Sequence, residues 1–145
     1  MIAVDTNVFV YAHRPEAPLH RDAARVVRAL AESGRTWGIP FHVLVEFAAV
    51  VSSPRIWKVP SSREQVAAQV KAWRSSPGLR ILGDDETVWE RSVALANAGS
   101  IQGGQWYDAR IAAVCLAHGV TELWTADRDY SLFAPLRTRN PFRQR

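Results

Sequence analysis

Cysteine occurs once in this 145-residue chain, methionine once, and lysine only at Lys58 and Lys71. A lone thiol, Cys115, excludes an internal disulfide framework and any thiolate-rich zinc site, and a reducing cytoplasm is the expected compartment. Cys115 lies in an apolar helical pattern and reads as a buried core thiol. The histidines His13, His20, His42 and His118 form no pair at metal-ligand spacing, so they read as surface, capping or packing residues. No apolar run approaches the roughly 18 residues of a membrane span. Asp5 interrupts the amino-terminal apolar stretch too early for a secretory signal. No membrane partner is therefore expected.

What is present suits one soluble globular domain, expected over residues 1–145: apolar residues make up 48% and charged residues 22%. The net charge is +4, and 16 of the 18 cations are arginine. Arginine favours bidentate phosphate contacts, which invites a polyanionic partner. Arg14, Arg55 and Arg110 are candidate phosphate contacts. Five of the 14 acids are assigned below to one site, leaving the rest of the surface more basic than the net charge implies.

Strands and helices alternate along the chain. Met1 to Val4 reads as a strand, followed by a short helix through His13 that Thr6 or Asn7 can cap. Leu19 to Ser33 is helical and stops at Gly34. Thr36 to Ile39 is a second strand, and Pro40 suits the first turn of a helix from Phe41 to Val51. Ser61 with Glu64 and Ser62 with Gln65 form overlapping capping boxes for a helix to about Arg74. Leu79 to Leu82 is a third strand. A helix capped by Asp84 or Asp85 runs to Ala98. After the glycine-rich stretch from Ser100 to Gln105, read as mobile, Trp106 to His118 is helical. Glu122 to Thr125 is a fourth strand and Leu136 to Thr138 an edge strand. The basic tail 139–145 is expected to be frayed or engaged by a partner. This alternation implies an α/β fold with a mainly parallel sheet of four to five strands, helices covering both faces.

Four acids stand where solvated acids are not expected. Asp5 and Asp127 each follow a short apolar strand, at the end where α/β sheets place ligands. Glu46 shares a helical face with Val43, Phe47 and Val50, and Asp108 heads a stripe of Ile111, Ala112, Cys115 and Leu116. Unpaired buried carboxylates are costly. Converging at one sheet edge, they require neutralising cations, and oxygen-only ligands select Mg²⁺ or Mn²⁺. Six tryptophans are many for this length. Trp106 beside Tyr107 suits core or dimer packing better than base stacking.

Val4-Asp5-Thr6-Asn7-Val8 resembles the opening motif of PIN-domain nucleases. Val45-Glu46-Phe47 fits their second acid, and Tyr107-Asp108-Ala109-Arg110-Ile111-Ala112-Ala113 the third. Thr125-Ala126-Asp127-Arg128-Asp129-Tyr130 is similar to the fourth motif. Length, the order of motifs and His20-x-Asp22-Ala23 look most like VapC-type toxins. The resemblance implies a PIN-like α/β/α sandwich and metal-dependent cleavage of RNA. It implies Asp5, Glu46, Asp108 and Asp127 as catalytic metal ligands for Mg²⁺ or Mn²⁺, with Asn7, Thr125 and Asp129 in support. Thr6 is read as a helix cap. A homodimer held inactive by a VapB-like antitoxin is the implied assembly. The alternative is an RNA-binding or partner-binding module with a degenerate metal pocket. Phosphatase chemistry of the haloacid-dehalogenase type needs a second Asp two residues after the first, where this chain has Asn7.

Overall fold

A computed structural model describes residues 1–143. The strands are β1 (Ile2–Val4), β2 (Trp37–Pro40), β3 (Leu79–Leu82), β4 (Glu122–Trp124) and β5 (Thr138–Arg139). The helices are α1 (Thr6–His13), α2 (His20–Glu32), α3 (Phe41–Val51), α4 (Arg63–Arg74), α5 (Glu86–Gly99) and α6 (Gln105–Ala117). The sheet order is β3-β2-β1-β4-β5, and every pairing is parallel. Ala3 pairs with Gly38 on one side and Leu123 on the other. The chain winds outward from β1 through β2 to β3, then returns to β1's other flank. The point where winding reverses lies between β1 and β4.

Helix α1 packs on α2 and α3, and α3 on α4, while α5 packs on α6. Right-handed crossovers place these two groups on opposite sheet faces. The first face closes over an aromatic cluster: Phe9 and Phe47 lie 4.4 and 4.8 Å from the Trp73 ring, and Phe9 is 6.4 Å from Trp37. Trp37 is fully buried, and its indole N–H donates to Ser76 Oγ at 3.0 Å. On the other side α6 buries Ala109, Ala112, Ala113 and Cys115. Side chains that small let the helix lie close to its neighbours. Burial pushes the Cys115 thiol up to about 12, as suits a core thiol.

Local chemistry differs from expectation at a few ends. Asp5, not Thr6 or Asn7, caps α1, its carboxylate accepting from the Thr6 N–H. Pro40 ends β2 rather than opening α3. Of the two capping boxes only Ser62 with Gln65 forms. Ser61 instead receives Arg14 Nη1 at 2.8 Å. β5 lies at 138–139 rather than 136–138, because Leu136 turns into the core. Residues 144 and 145, the end of the expected basic tail, lie outside the described part. No helix among the described residues is long and apolar enough to cross a membrane.

Gly78 allows β3 to start beside β2. A Cβ there would stand 2.1 Å from the Arg35 carbonyl oxygen, and the Gly78 carbonyl accepts from the Trp37 N–H at 3.1 Å. Because the obstacle is backbone, Gly78→Ala is expected to destabilise the protein by about 2–3 kcal/mol in urea unfolding. Wild-type stability in this variant would show that the two turns separate freely.

Candidate active site

The winding reversal puts the carboxyl ends of β1 and β4 side by side, with the Asp5 N–H donating to the Trp124 carbonyl at 2.9 Å. Asp5 leaves β1 buried, 4% exposed, with four donors around its carboxylate. Oδ1 accepts from the Thr6 N–H at 2.7 Å and faces the Tyr130 hydroxyl at 3.4 Å. Oδ2 accepts from Asn7 Nδ2 at 2.8 Å and from the Thr125 hydroxyl at 2.7 Å. Asn7 returns to the other strand: its Oδ1 accepts from the Ala126 N–H at 3.0 Å. Thr125 Oγ1 in turn accepts from the Asp127 N–H at 3.0 Å. One network therefore orients the acids at the ends of both strands.

The two helical acids arrive through packing. Val43 and Phe47 are fully buried and fix the rotation of α3, which directs Glu46 to the same cleft. There its carboxylate accepts from the Thr6 hydroxyl. The expected cap is thus a carboxylate holder, a role local sequence hides because its partner lies 40 residues away. Helix α6 buries Ala109, Ile111 and Ala112 and leaves Asp108 half-buried at its first turn. Asp5, Thr6, Asn7, Glu46, Asp108, Asp127 and Tyr130 line one open cavity of about 320 Å³. Asp129 is exposed at the start of a 3₁₀ turn (Asp129–Leu132) and lies outside that lining, its N–H donating to Asp127 Oδ1 at 2.9 Å. Tyr130 is the residue sequence reasoning left without a role; its place in the fourth motif was the available signal.

Electrostatics follow from this crowding. Burial raises the Asp5 carboxyl to about 6, opposed by the Thr125 and Thr6 hydrogen bonds and reinforced by the charges of Glu46 and Asp127. Burial also raises Asp108 to about 6, with Asp127, Asp5, Asp129 and Glu46 each adding repulsion. The cavity lining offers oxygen donors and neither Cys nor His. That donor set fits a hard divalent ion, which relieves the repulsion. Among the described residues no three His, Cys, Asp or Glu side chains stand close enough together to hold a metal ion without moving. An open carboxylate cluster suits Mg²⁺, which keeps several of its waters.

A PIN domain family model matches residues 2–134. The chain belongs to the PIN domain family. Ribonuclease VapC43 of Mycobacterium tuberculosis is 34% identical over 141 residues, 97% of this chain and 95% of its own length. VapC48 of the same species is 28% identical over 139 residues, 95% of each chain. Among solved structures, M. tuberculosis VapC20, described as a sarcin-ricin loop cleaving toxin, superimposes with a TM-score of 0.68. Its identity is 21%, covering 90% of this chain and 93% of that one. FitAcB from Neisseria gonorrhoeae gives 0.69 at 20% identity, covering 99% and 100%. Both likenesses show that the fold is shared.

Other candidates fall elsewhere in this PIN domain. Arg14, expected to reach phosphate, is 6% exposed. Its guanidinium donates to Ser61, Glu16 and the Val59 carbonyl and covers the Trp57 ring at 4.3 Å. Arg110 is committed to Asp84 and to His42. Arg55 is exposed. Trp106 stacks on Trp89, with ring centroids 5.8 Å apart. His13, His20 and His118 bond Ser61, the Tyr11 carbonyl and the Gly83 carbonyl respectively.

Raised carboxyls have a definite stability signature. Asp5 and Asp108 bind protons more tightly in the fold than at their ordinary value of 3.8. Their contribution is fully present below that value and is lost as pH rises through about 6. In chelator, unfolding free energy should therefore fall between pH 4 and 7, Asp5 contributing on the order of 3 kcal/mol. Urea titrations of wild type and Asp5→Asn test this: the variant should show the shallower slope. Identical slopes would refute the shift at Asp5.

Proposed function

We propose that this protein is a metal-dependent endoribonuclease and the toxin of a type II toxin–antitoxin pair. The observation that carries the reading is the convergence of Asp5, Glu46, Asp108 and Asp127, from four separate elements, on one cavity. Relatives named VapC ribonucleases along nearly the whole chain support it. Residues 1–145 act as a single domain. Asp5, Glu46, Asp108 and Asp127 are the residues that would hold Mg²⁺ or Mn²⁺. When bound, the ion supplies charge to stabilise the phosphate and a water made more acidic for attack.

The protein's own residues do the rest. Thr125, Asn7 and the Thr6 N–H hold the Asp5 carboxylate in one orientation. The Thr6 hydroxyl does the same for Glu46. Burial beneath Tyr130 keeps water from one side of Asp5. Asp129 adds negative charge at the rim, which strengthens cation capture at Asp108. Each acid held ready lowers the reorganisation needed when the phosphate arrives. The protein acts as a cytoplasmic homodimer restrained by a VapB-like antitoxin, whose incoming arginine would pair with the carboxylate cluster.

Asp5→Asn is expected to lower cleavage of single-stranded RNA by at least about 100-fold while circular dichroism stays native. Wild-type cleavage should require added Mg²⁺ or Mn²⁺ and stop with chelator. A folded Asp5→Asn protein that still cleaves would remove Asp5 from the mechanism. Chelator-resistant cleavage that tracks the protein through purification would remove the metal.

A further inference from the structure

A second cavity adjoins the acidic one. It has a volume of about 370 Å³ and is lined by Thr125, Ala126, Asp127, Arg128, Ser131, Thr138, Asn140 and Arg143. Asp127 lines both cavities, so a single carboxylate divides them. The chemistry changes sign across it. On one side are carboxylates; on the other are two arginines with hydroxyl and amide groups. Arg128 and Arg143 are exposed, and among the described residues neither guanidinium has an ion-pair or hydrogen-bond partner. Of the arginines first considered as phosphate contacts, Arg14 and Arg110 are consumed by Glu16 and Asp84, and Arg55 is exposed but outside this lining.

The backbone shapes this cavity. Thr125 N–H donates to the Arg139 carbonyl at 3.0 Å, tying the end of β4 to β5. Asn140 Oδ1 accepts from the Phe142 N–H at 2.9 Å, turning the chain so that Arg143 faces the same cavity as Arg128. That bond occupies the amide oxygen of Asn140 and leaves its NH₂ group to donate. The cavity therefore gathers two guanidinium groups, one amide NH₂ and the Ser131 hydroxyl opposite a single carboxylate, Asp127.

We propose that this cavity binds an RNA phosphate neighbouring the scissile one. The assignment rests on the nuclease reading above and extends it by naming a substrate contact. A strand whose reacting phosphate lies at the carboxylates carries its next phosphate across Asp127. Guanidinium pairs bind phosphate bidentately and through charge. The site also answers an electrostatic difficulty: an acidic pocket repels a polyanion, and a basic pocket one carboxylate away offsets that repulsion at the strand's next link. Because the contacts are to backbone, the site positions the strand without reading its sequence.

The test uses the intact chain and a fluorescent single-stranded oligonucleotide RNA. Binding is measured by anisotropy in the Asp5→Asn background from about 50 to 200 mM salt. Cleavage is measured separately with the active protein. Arg128→Gln/Arg143→Gln is expected to weaken binding about tenfold and to reduce the salt slope by about 0.7 for one lost phosphate contact. KM should rise by more than kcat falls. Arg35→Gln/Arg80→Gln, two exposed arginines on the β2–β3 side of the sheet, is the control for loss of the same charge, and thermal unfolding confirms that all variants fold. Unchanged RNA affinity in Arg128→Gln/Arg143→Gln overturns the assignment, as does equal weakening by Arg35→Gln/Arg80→Gln. So does loss of binding to a polyglutamate peptide with RNA binding intact. If wild type fails to cleave RNA with either metal, the nuclease reading fails. Arginine-dependent RNA binding would then still support the phosphate site.

Discussion

A buried carboxylate must be answered by donors or by a cation, and Asp5 imposes that demand on the centre of this fold. Its four donors come from the first turn of α1, from the end of β4 and from the aromatic residue beyond it. These segments are far apart in the chain and meet only because β1 and β4 are parallel neighbours. The network supplies hydrogen bonds without a counter-charge. Burial and the nearby acids consequently hold Asp5 and Asp108 well above the ordinary carboxylate range. The site is built around unrelieved repulsion, the condition under which a hard cation binds favourably.

Packing elsewhere serves this arrangement. The aromatic cluster under α3 sets the rotation that brings Glu46 inward. Alanines on α6 let Asp108 approach the sheet edge. Asp127 is held by a backbone hydrogen bond to Thr125, the same side chain that orients Asp5. Hydrophobic burial and polar orientation thus act on the same few residues. The proposed phosphate site extends the pattern, since the β4–β5 pairing that places Thr125 also places Asn140 and Arg143.

Much of this was legible locally. Apolar runs ending in Asp5 and Asp127 marked strand ends, and period-3.6 burial marked the inward faces of Glu46 and Asp108. Ser62 with Gln65 and Gly34 marked helix ends. The readings that moved share a cause. Thr6 has the composition of a cap, but Asp5 takes the cap and the Thr6 hydroxyl goes to Glu46. Arg14 looks like a surface cation, but a distant serine, a distant carbonyl and a tryptophan bury it. Ser61 looks like half of a capping box, but Arg14 claims it. A polar side chain has several partners of similar strength, and long-range proximity selects among them.

The sequence by itself determined the alternation of strands and helices, the parallel sheet, and the four acids in places where acids are costly. Those follow from periodicity and turn chemistry, which act over a few residues. Only the tertiary structure decided the strand order, the shared cavity, the hydrogen-bond partners of each carboxylate and the basic pocket on the far side of Asp127. These depend on which chain segments become neighbours. That outcome is set by the packing of whole faces against one another, not by the local preferences of any residue in the site.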